Sequence, residues 1–144
     1  MLTLAAEDPE DLQIISARLQ DAVARVKDLA WLPQARRFAA VFNRFKWEST
    51  ESKGNALRVR AGLCFENVLS AKSYNIRSDN PEAILSLLAV RFEASGPEDP
   101  GGTVELVFSG GGTLRLNVEC LESTLSDVSA DWVARHRPNH PLET

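Results

Sequence analysis

The chain has 144 residues, of which 44% are hydrophobic and 25% are charged. This composition provides enough apolar material for the core of one domain, and it excludes an intrinsically disordered protein. The formal net charge of -4 excludes a general electrostatic attraction of the whole chain to nucleic acid or to an anionic membrane.

The first predicted elements are a short edge strand over residues 2–6 and a helix. Asp8 and Pro9 predict the start of the helix, because an aspartate can accept backbone N–H groups and proline suits the first helical position. Apolar residues then recur at helical spacing, namely Leu12, Ile15 and Leu19. The pattern leaves open whether the helix stops near Gln20 or runs to Val26, and residues 23–27 fit the start of a strand equally well.

A hairpin follows, in which Pro33 supplies the turn between strands at residues 29–32 and 36–48. The second strand changes face along its length: Phe38, Ala40 and Phe42 share one face, whereas Phe45 and Trp47 share the other. A β-bulge near Asn43 and Arg44 would reconcile the two faces, since one extra residue reverses the facing. A strand buried on both sides is the alternative.

Further strands are predicted at residues 57–66, 68–76, 82–94, 104–109 and 113–120. The first of them alternates apolar and polar residues, which is typical of a half-buried antiparallel strand. A helix is predicted after Cys120, because Leu121, Leu125, Val128 and Trp132 fall at helical spacing. The polar, proline-containing residues 136–144 predict a flexible tail, which leaves residues 1–135 as a single domain.

Three consecutive glycines lie between Ser109 and Thr113. A phosphate-binding glycine loop normally precedes a helix, whereas a strand follows these glycines, so we predict a hairpin turn. Pairing Phe108 with Leu114 keeps the apolar residues of both strands on one face and leaves Gly110–Gly112 as the loop. The residue at the end of such a loop needs a positive φ, which glycine adopts without penalty.

Together these elements predict an α+β fold that is mainly antiparallel β, with about seven strands in a barrel or in two layers. A helix is expected at each end of the domain. By analogy, a pleckstrin-homology-like barrel capped by its last helix is the nearest known architecture.

The sequence offers little for catalysis or metal binding. His136 and His140 both lie in the predicted tail, and no pair of cysteines stands at metal-ligand spacing to complete a site with them. Cys64 and Cys120 are expected to be buried, reduced thiols. Three carboxylates near the end of the last strand, Glu119, Glu122 and Asp127, fit surface charge better than acid–base chemistry, because Glu119 alternates with apolar residues and points outward. We therefore expect no metal, no cofactor and no enzymatic activity.

A local charge asymmetry is the feature that most suggests a function. Between residues 34 and 60 the chain has seven basic and two acidic residues, although the whole chain is acidic. Six of these bases, which we call the basic ribbon, are candidate anion- or partner-binding residues: Arg36, Arg37, Arg44, Lys46, Arg58 and Arg60. A basic surface with exposed aromatic residues can bind RNA, a phosphorylated ligand or an acidic protein. The alternatives are a solvated face that protects strand edges, or self-association with the acidic remainder.

Three aromatic residues accompany the basic ribbon: Trp31, Phe45 and Trp47. They are candidate anchors at a protein interface, where aromatic residues and arginine are enriched. The alternative is that they belong to the core.

Four segments resemble a bacterial family of short proteins known only as a domain of unknown function. They are SARLQDAV (Ser16–Val23), NRFKWE (Asn43–Glu48), LSLLAVRFE (Leu85–Glu93) and GTVELVFSGGGTLRLNVECLE (Gly102–Glu122). The resemblance covers nearly the whole chain and implies a free-standing bacterial cytoplasmic protein. It assigns no activity, ligand or catalytic residue.

Three functions are consistent with these observations. The first is a non-enzymatic binding or protein-interaction module, with a homodimer as one form of it. The second is an RNA- or phosphate-binding module that uses the basic ribbon. The third is a hydrolase built on carboxylates or on Cys64. Because we find no secretory signal and no apolar run of about 18 residues, we expect a cytoplasmic protein with no membrane partner.

Overall fold

Helix α1 (Pro9–Arg18) begins where the sequence predicts a helix start. The Asp8 side chain caps it by accepting a hydrogen bond from the backbone N–H of Asp11 at 2.8 Å. The helix ends at Arg18, and Val23–Arg25 forms a strand. The earlier of the two predicted helix ends is therefore confirmed.

The computed structural model describes residues 2–46, 57–128 and 132–133. Within them the chain forms eleven strands: β1 Thr3–Ala6, β2 Val23–Arg25, β3 Leu29–Leu32, β4 Arg37–Phe45, β5 Leu57–Phe65, β6 Val68–Tyr74, β7 Ile84–Ala94, β8 Gly102–Phe108, β9 Thr113–Val118, β10 Ser123–Asp127 and β11 Trp132–Val133. All of the pairs between strands are antiparallel. The prediction of a mainly antiparallel β fold with an N-terminal helix is confirmed, with more strands than predicted.

The strands are ordered β1-β10-β5-β4-β2-β7-β8-β9-β6, with β3 paired to β4 and β11 paired to β5. The long strand β7 joins the two parts of the sheet, since Ile84–Ser86 pair with β2 and residues from Leu87 onward pair with β8. A register shift at Leu88 marks the change of partner. In the described residues the order has two free ends, β1 and β6, so a closed or pleckstrin-homology-like barrel is not seen.

The core lies between helix α1 and the inner faces of the sheet. Its large, fully buried apolar side chains come from the helix and from both parts of the sheet: Leu12, Ile15, Leu19, Phe42, Phe65, Leu63, Leu87, Leu106, Phe108, Leu116 and Leu125. The helix is also fixed to β7 by a hydrogen bond from the backbone N–H of Val90 to Ser16 Oγ at 2.9 Å.

Strand β4 contains no bulge where one was predicted. It pairs with β5 in an unbroken register from Phe38 opposite Phe65 to Phe45 opposite Arg58. The successive residues Phe42, Asn43 and Arg44 are all buried. The alternative, a strand buried on both sides, is therefore correct at this end of β4.

The predicted C-terminal helix is wrong over the part that the structure describes, because residues 123–127 form strand β10. Buried and exposed residues alternate there, with Leu121, Ser123, Leu125 and Asp127 all buried. Two of these four buried residues are polar, so the sequence does not alternate between apolar and polar residues as a half-buried strand normally does. The two leucines are four residues apart, a spacing that also fits a helix. The backbone of Trp132 is in strand β11. The predicted tail, residues 136–144, lies outside the described residues, so the domain division stays a prediction.

The glycine segment forms a hairpin turn, as predicted, but its register differs from the predicted one. Leu114 lies opposite Leu106, and Phe108 donates its backbone N–H to the carbonyl of Gly112 at 2.9 Å. Gly110 and Gly111 have φ values of 83° and 93°, so these two glycines take the left-handed positions of a loop at residues 109–111. Gly112 is extended and belongs to the start of the ladder.

None of the helices in the described part of the chain is long and apolar enough to cross a membrane.

Candidate functional site

The basic ribbon does not form one exposed surface. Arg36 pairs with Glu119 at 3.0 Å, and Arg37 pairs with Glu66 at 2.9 Å. Both pairs are at the end of β4 that begins with Arg37, whereas Arg58 is at the other end of the β4–β5 ladder. At about 3.3 Å per residue, the two groups are roughly 25 Å apart along the strands.

Arg44 is the residue of the basic ribbon with the most unexpected environment. Its side chain is 0% exposed, and its guanidinium forms a two-point ion pair with Asp127. Nε donates to Oδ1 at 3.0 Å and Nη2 donates to Oδ2 at 2.9 Å, while Nη1 donates to the carbonyl of Phe45 at 3.0 Å. Asp127 also accepts the backbone N–H of Leu2 at 2.8 Å. Asp127 is therefore not the surface charge that we predicted, and the Arg44 guanidinium points into the protein.

The remaining ribbon residues are partly buried. Arg58 stacks on Phe45, with its guanidinium carbon 4.0 Å from the ring centroid, and Arg60 lies opposite Asn43 in the ladder. Lys46 is also half-buried, and Trp31 packs against the core. Trp47 lies outside the described residues. The anion-binding role of the basic ribbon and the interface role of these aromatic residues stay predictions.

A second charged surface, which we did not predict from the sequence, lies on the outward side of β6, β7, β8 and β9. Its central row crosses four strands, with Arg91 opposite Glu105, Glu105 opposite Arg115, and Arg115 opposite Lys72. We call this row, together with Tyr74, the polar face.

Glu105 holds the two arginines of the polar face in place. Arg91 Nη2 donates to Glu105 Oε1 at 2.7 Å, and Arg115 Nε donates to Oε2 at 3.1 Å. Arg91 and Arg115 are 65% and 55% exposed, so their other N–H groups face solvent. Burial raises the pKa of Glu105, but hydrogen bonds and charge from Arg115 and Arg91 outweigh it, and the pKa lies below its ordinary value. Glu105 is therefore an anion at neutral pH.

Two shallow clefts border this row and share Arg115. The larger has a volume of about 490 Å³ and is lined by Arg91, Phe92, Glu93, Thr103, Glu105 and Arg115. The smaller, of about 190 Å³, is lined by Ser70, Lys72, Tyr74, Arg115 and Asn117. The Arg115 guanidinium carbon lies 5.1 Å from the ring centroid of Tyr74, within the range of a cation–π contact. The polar face thus presents cations, a fixed carboxylate and an aromatic ring to solvent.

The sequence contained one signal for this surface. Glu105 and Arg115 both alternate with apolar residues, which places them on the outer faces of paired strands. The predicted hairpin register set Glu105 opposite Asn117, whereas the observed register sets it opposite Arg115. A two-residue error in register therefore concealed the ion pair.

Two polar side chains outside the polar face are partly or fully buried, Asn43 on strand β4 and Asp28 in the turn before β3. Asn43 is 2% exposed and its Oδ1 has no hydrogen-bond partner among the described residues; the same is true of Asp28 Oδ2. Burial raises the pKa of Asp28 more than the backbone of Arg25 and the charges of Lys27, Arg25 and Arg60 lower it. The ionised form of Asp28 therefore weakens the folded state.

Asp28→Asn is expected to raise the melting temperature at about pH 7 and to leave it unchanged below about pH 3.5. The reason is that a carboxyl with a raised folded-state pKa contributes stability below its ordinary pKa and loses that contribution as the pH rises through the raised value. Thermal unfolding followed by circular dichroism across this pH range tests it. Asp79→Asn, which removes the same charge from an exposed turn, is the control; equal effects of both variants would contradict the prediction.

Of the two cysteines, Cys64 has the chemistry of an unreactive thiol. Cys64 and Cys120 are free, as predicted, but they are partly buried and not fully buried. Burial, followed by the charge of Glu66, raises the pKa of Cys64, so its thiol stays protonated at neutral pH. Cys120 Sγ accepts a hydrogen bond from Asn67 Nδ2 at 3.2 Å. In residues 2–46 and 57–128 no three His, Cys, Asp or Glu side chains form a group that could hold a metal ion.

Comparison with known proteins gives a family but no function. A family model described as "Protein of unknown function (DUF2948)" matches residues 2–140. Neither the curated proteins nor the solved structures contain a match to the chain. Because the family model covers nearly all of the sequence, the chain belongs to this family of unknown function.

Proposed function

We propose that the protein is a non-enzymatic binding module that recognises anionic groups of its partner through the polar face. One observation carries the proposal: Arg91 and Arg115 lie on either side of Glu105 on an open surface, and Lys72 follows on the far side of Arg115. With Glu93, which lines the larger cleft, this surface has three cations and two carboxylates, although the whole chain has a net charge of -4. A local excess of positive charge on an acidic protein favours an anionic ligand at that position.

The arginines of the polar face are prepared for such a ligand. Glu105 occupies one nitrogen of each guanidinium and fixes its orientation, and Tyr74 supports Arg115 from the side. A guanidinium that is already ordered loses less conformational entropy when it binds a carboxylate or phosphate. Lys72 adds a cation for which no ion pair is found within residues 2–46 and 57–128.

The pKa shifts of Glu105 and Cys64 support binding rather than catalysis at these two residues. General acid–base catalysis uses a group whose pKa lies near the working pH. The pKa of Glu105 is shifted away from neutrality, and the raised pKa of Cys64 disfavours a nucleophilic thiolate. The two free thiols are also consistent with the reducing bacterial cytoplasm, which we propose as the location of the protein.

A nuclear magnetic resonance titration tests the proposal. Isotope-labelled protein is titrated with hexaglutamate and, separately, with inorganic phosphate, and the backbone amide shifts are followed. We expect hexaglutamate to shift amides of β6, β8 and β9. Lys72→Glu is expected to weaken this binding about tenfold or more, because a charge-assisted hydrogen bond is replaced by repulsion.

Lys27→Glu is the matched control for charge. Lys27 is also an exposed lysine, but it pairs with Glu82 outside the polar face. This variant is expected to keep the affinity within about twofold, because charges beyond a Debye length of about 8–10 Å are screened. Absence of shifts on the polar face with both probes, or equal losses in the two variants, would overturn the proposed function.

A further inference from the structure

Strand β6 (Val68–Tyr74) is one end of the strand order. One of its edges pairs with β9, and along the other edge the only backbone hydrogen bond in the described part of the chain is at its start, from Val68 N–H to the carbonyl of Arg36 at 2.9 Å. In an antiparallel pair, alternate residues direct their N–H and C=O groups away from the partner strand. The segment from Ser70 to Tyr74 therefore presents unpaired backbone groups at this edge.

The protection of this edge is incomplete. Natural edge strands are blunted by bulges, charged side chains or proline. In β6 the irregularity is confined to the step between Val68 and Ser70, and the register with β9 is regular from Ser70 to Tyr74. The one charged side chain in that regular part is Lys72. A lysine repels basic strands but attracts acidic ones. This edge therefore favours pairing with an acidic strand and does not exclude every strand.

A second copy of the chain fits this edge poorly. Two β6 strands paired about a two-fold axis centred on Ala71, Lys72 or Ser73 would place Lys72 opposite or diagonally next to the same residue of the other copy. Like charges at these cross-strand positions are destabilising. An occupant of opposite charge is therefore favoured over self-association.

The side chains of β6 determine which side chains an added strand can carry. Lys72 and Tyr74 point outward with Arg115, whereas Ala71 and Ser73 lie on the opposite face of β6, where Ala71 is half-buried and Ser73 is exposed. Ala71 is small and packs against the core, and Ser73 lies opposite Leu114, which is 6% exposed. Small residues on the inner side leave room for larger apolar side chains from an added strand.

We infer that β6 binds an extended peptide segment by strand addition, and that this segment alternates acidic residues, next to Lys72, with apolar residues, next to Ala71 and Ser73. Backbone hydrogen bonds would supply affinity and the alternate side chains would supply specificity. The inference rests on the proposed function, because the acidic residues would contact the cations of the polar face.

The test uses the full chain and the peptide acetyl-(Glu-Val)₃-amide with two N-methylated forms. One form is methylated on every valine nitrogen and the other on every glutamate nitrogen. Because only alternate N–H groups of an added strand face β6, one form is expected to bind about 100-fold more weakly and the other about as well as the parent peptide. Amide hydrogen exchange should also slow at alternate positions from Ser70 to Tyr74 on binding.

The outcomes separate the inference from the proposed function. If both methylated forms bind like the parent peptide, or if hexaglutamate binds while the Glu-Val peptide does not, strand addition is overturned and anion recognition stands. If neither the peptide, hexaglutamate nor phosphate binds, the proposed function itself fails. A Lys-Val peptide of the same length is expected not to bind, and binding by it would overturn the requirement for acidic residues.

Discussion

Asp127→Ala is expected to lower the free energy of unfolding by about 3–5 kcal/mol. The substitution leaves the Arg44 guanidinium buried at 0% exposure without its carboxylate, and it removes the acceptor of the Leu2 N–H. A buried charge without a partner costs far more than the net contribution of the pair. The loss is a large share of the roughly 5–15 kcal/mol that stabilises a typical domain. Urea denaturation followed by circular dichroism measures it.

Two control variants show whether the buried charge is the cause. Replacing both partners by apolar residues, as Arg44→Met with Asp127→Leu, is expected to recover most of the loss, because no charge is then left unpaired. Arg36→Ala breaks an exposed ion pair with Glu119 and is expected to cost at most about 1 kcal/mol. A value for Asp127→Ala as small as that of Arg36→Ala would show that the pair contributes no more than a surface contact.

Gly102→Val is expected to destabilise the protein by about 3 kcal/mol or more, which corresponds to a fall in melting temperature of roughly 10 °C. Gly102 is buried at the start of β8, and a Cβ atom there would overlap the carbonyl oxygen of Glu93. It would also lie 2.8 Å from Phe92 Cζ and 2.9 Å from Ala94 Cα. Because two of these three neighbours are backbone atoms of β7, the clash can be relieved only by separating β7 from β8.

Gly96→Ala is the matched control for Gly102→Val. Its added Cβ would meet only Asp99 Cβ, at an ordinary contact distance of 3.9 Å. A change of at most about 0.5 kcal/mol is expected there, as for substitutions away from packed sites. Differential scanning calorimetry of both variants measures the contrast. Equal melting temperatures for Gly102→Val and the unmodified protein would show that β7 and β8 are packed less closely than described.

Local patterns were sufficient to predict the elements whose buried residues are apolar. Asp8 and Pro9 predicted the start of α1, and the alternation in Leu57–Phe65 predicted β5. The pattern failed at β10, because Ser123 and Asp127 occupy inward positions that normally hold apolar side chains. Ser123 donates its hydroxyl to the carbonyl of Cys64 at 2.9 Å, so a partner distant in sequence satisfies it.

The candidate site depended on information that local patterns do not contain. The residue type of Arg44 indicates a surface position, and only the carboxylate of Asp127, 83 residues away, makes its burial possible. To predict the polar face, the registers of three strand pairs, β6–β9, β7–β8 and β8–β9, would likewise all have to be known. The turn residues predicted the glycine hairpin but not that Gly110 and Gly111 are the two glycines with positive φ. The position of these two glycines fixes the register that places Glu105 opposite Arg115.

The position of β10 has a consequence for how the protein folds. This strand inserts between β1 and β5, and the bond from Leu2 to Asp127 joins residues 125 positions apart. Folds dominated by such distant pairings typically form in milliseconds to seconds, because loop closure must precede the contacts that stabilise them. A ribosome adds about 5–20 residues per second. For seconds, therefore, until Asp127 has been synthesised, the edge of β5 lacks strand β10 and Arg44 lacks its carboxylate partner. We expect this part of the sheet to form only after synthesis has passed residue 127, and the unfinished chain to be the form most exposed to aggregation.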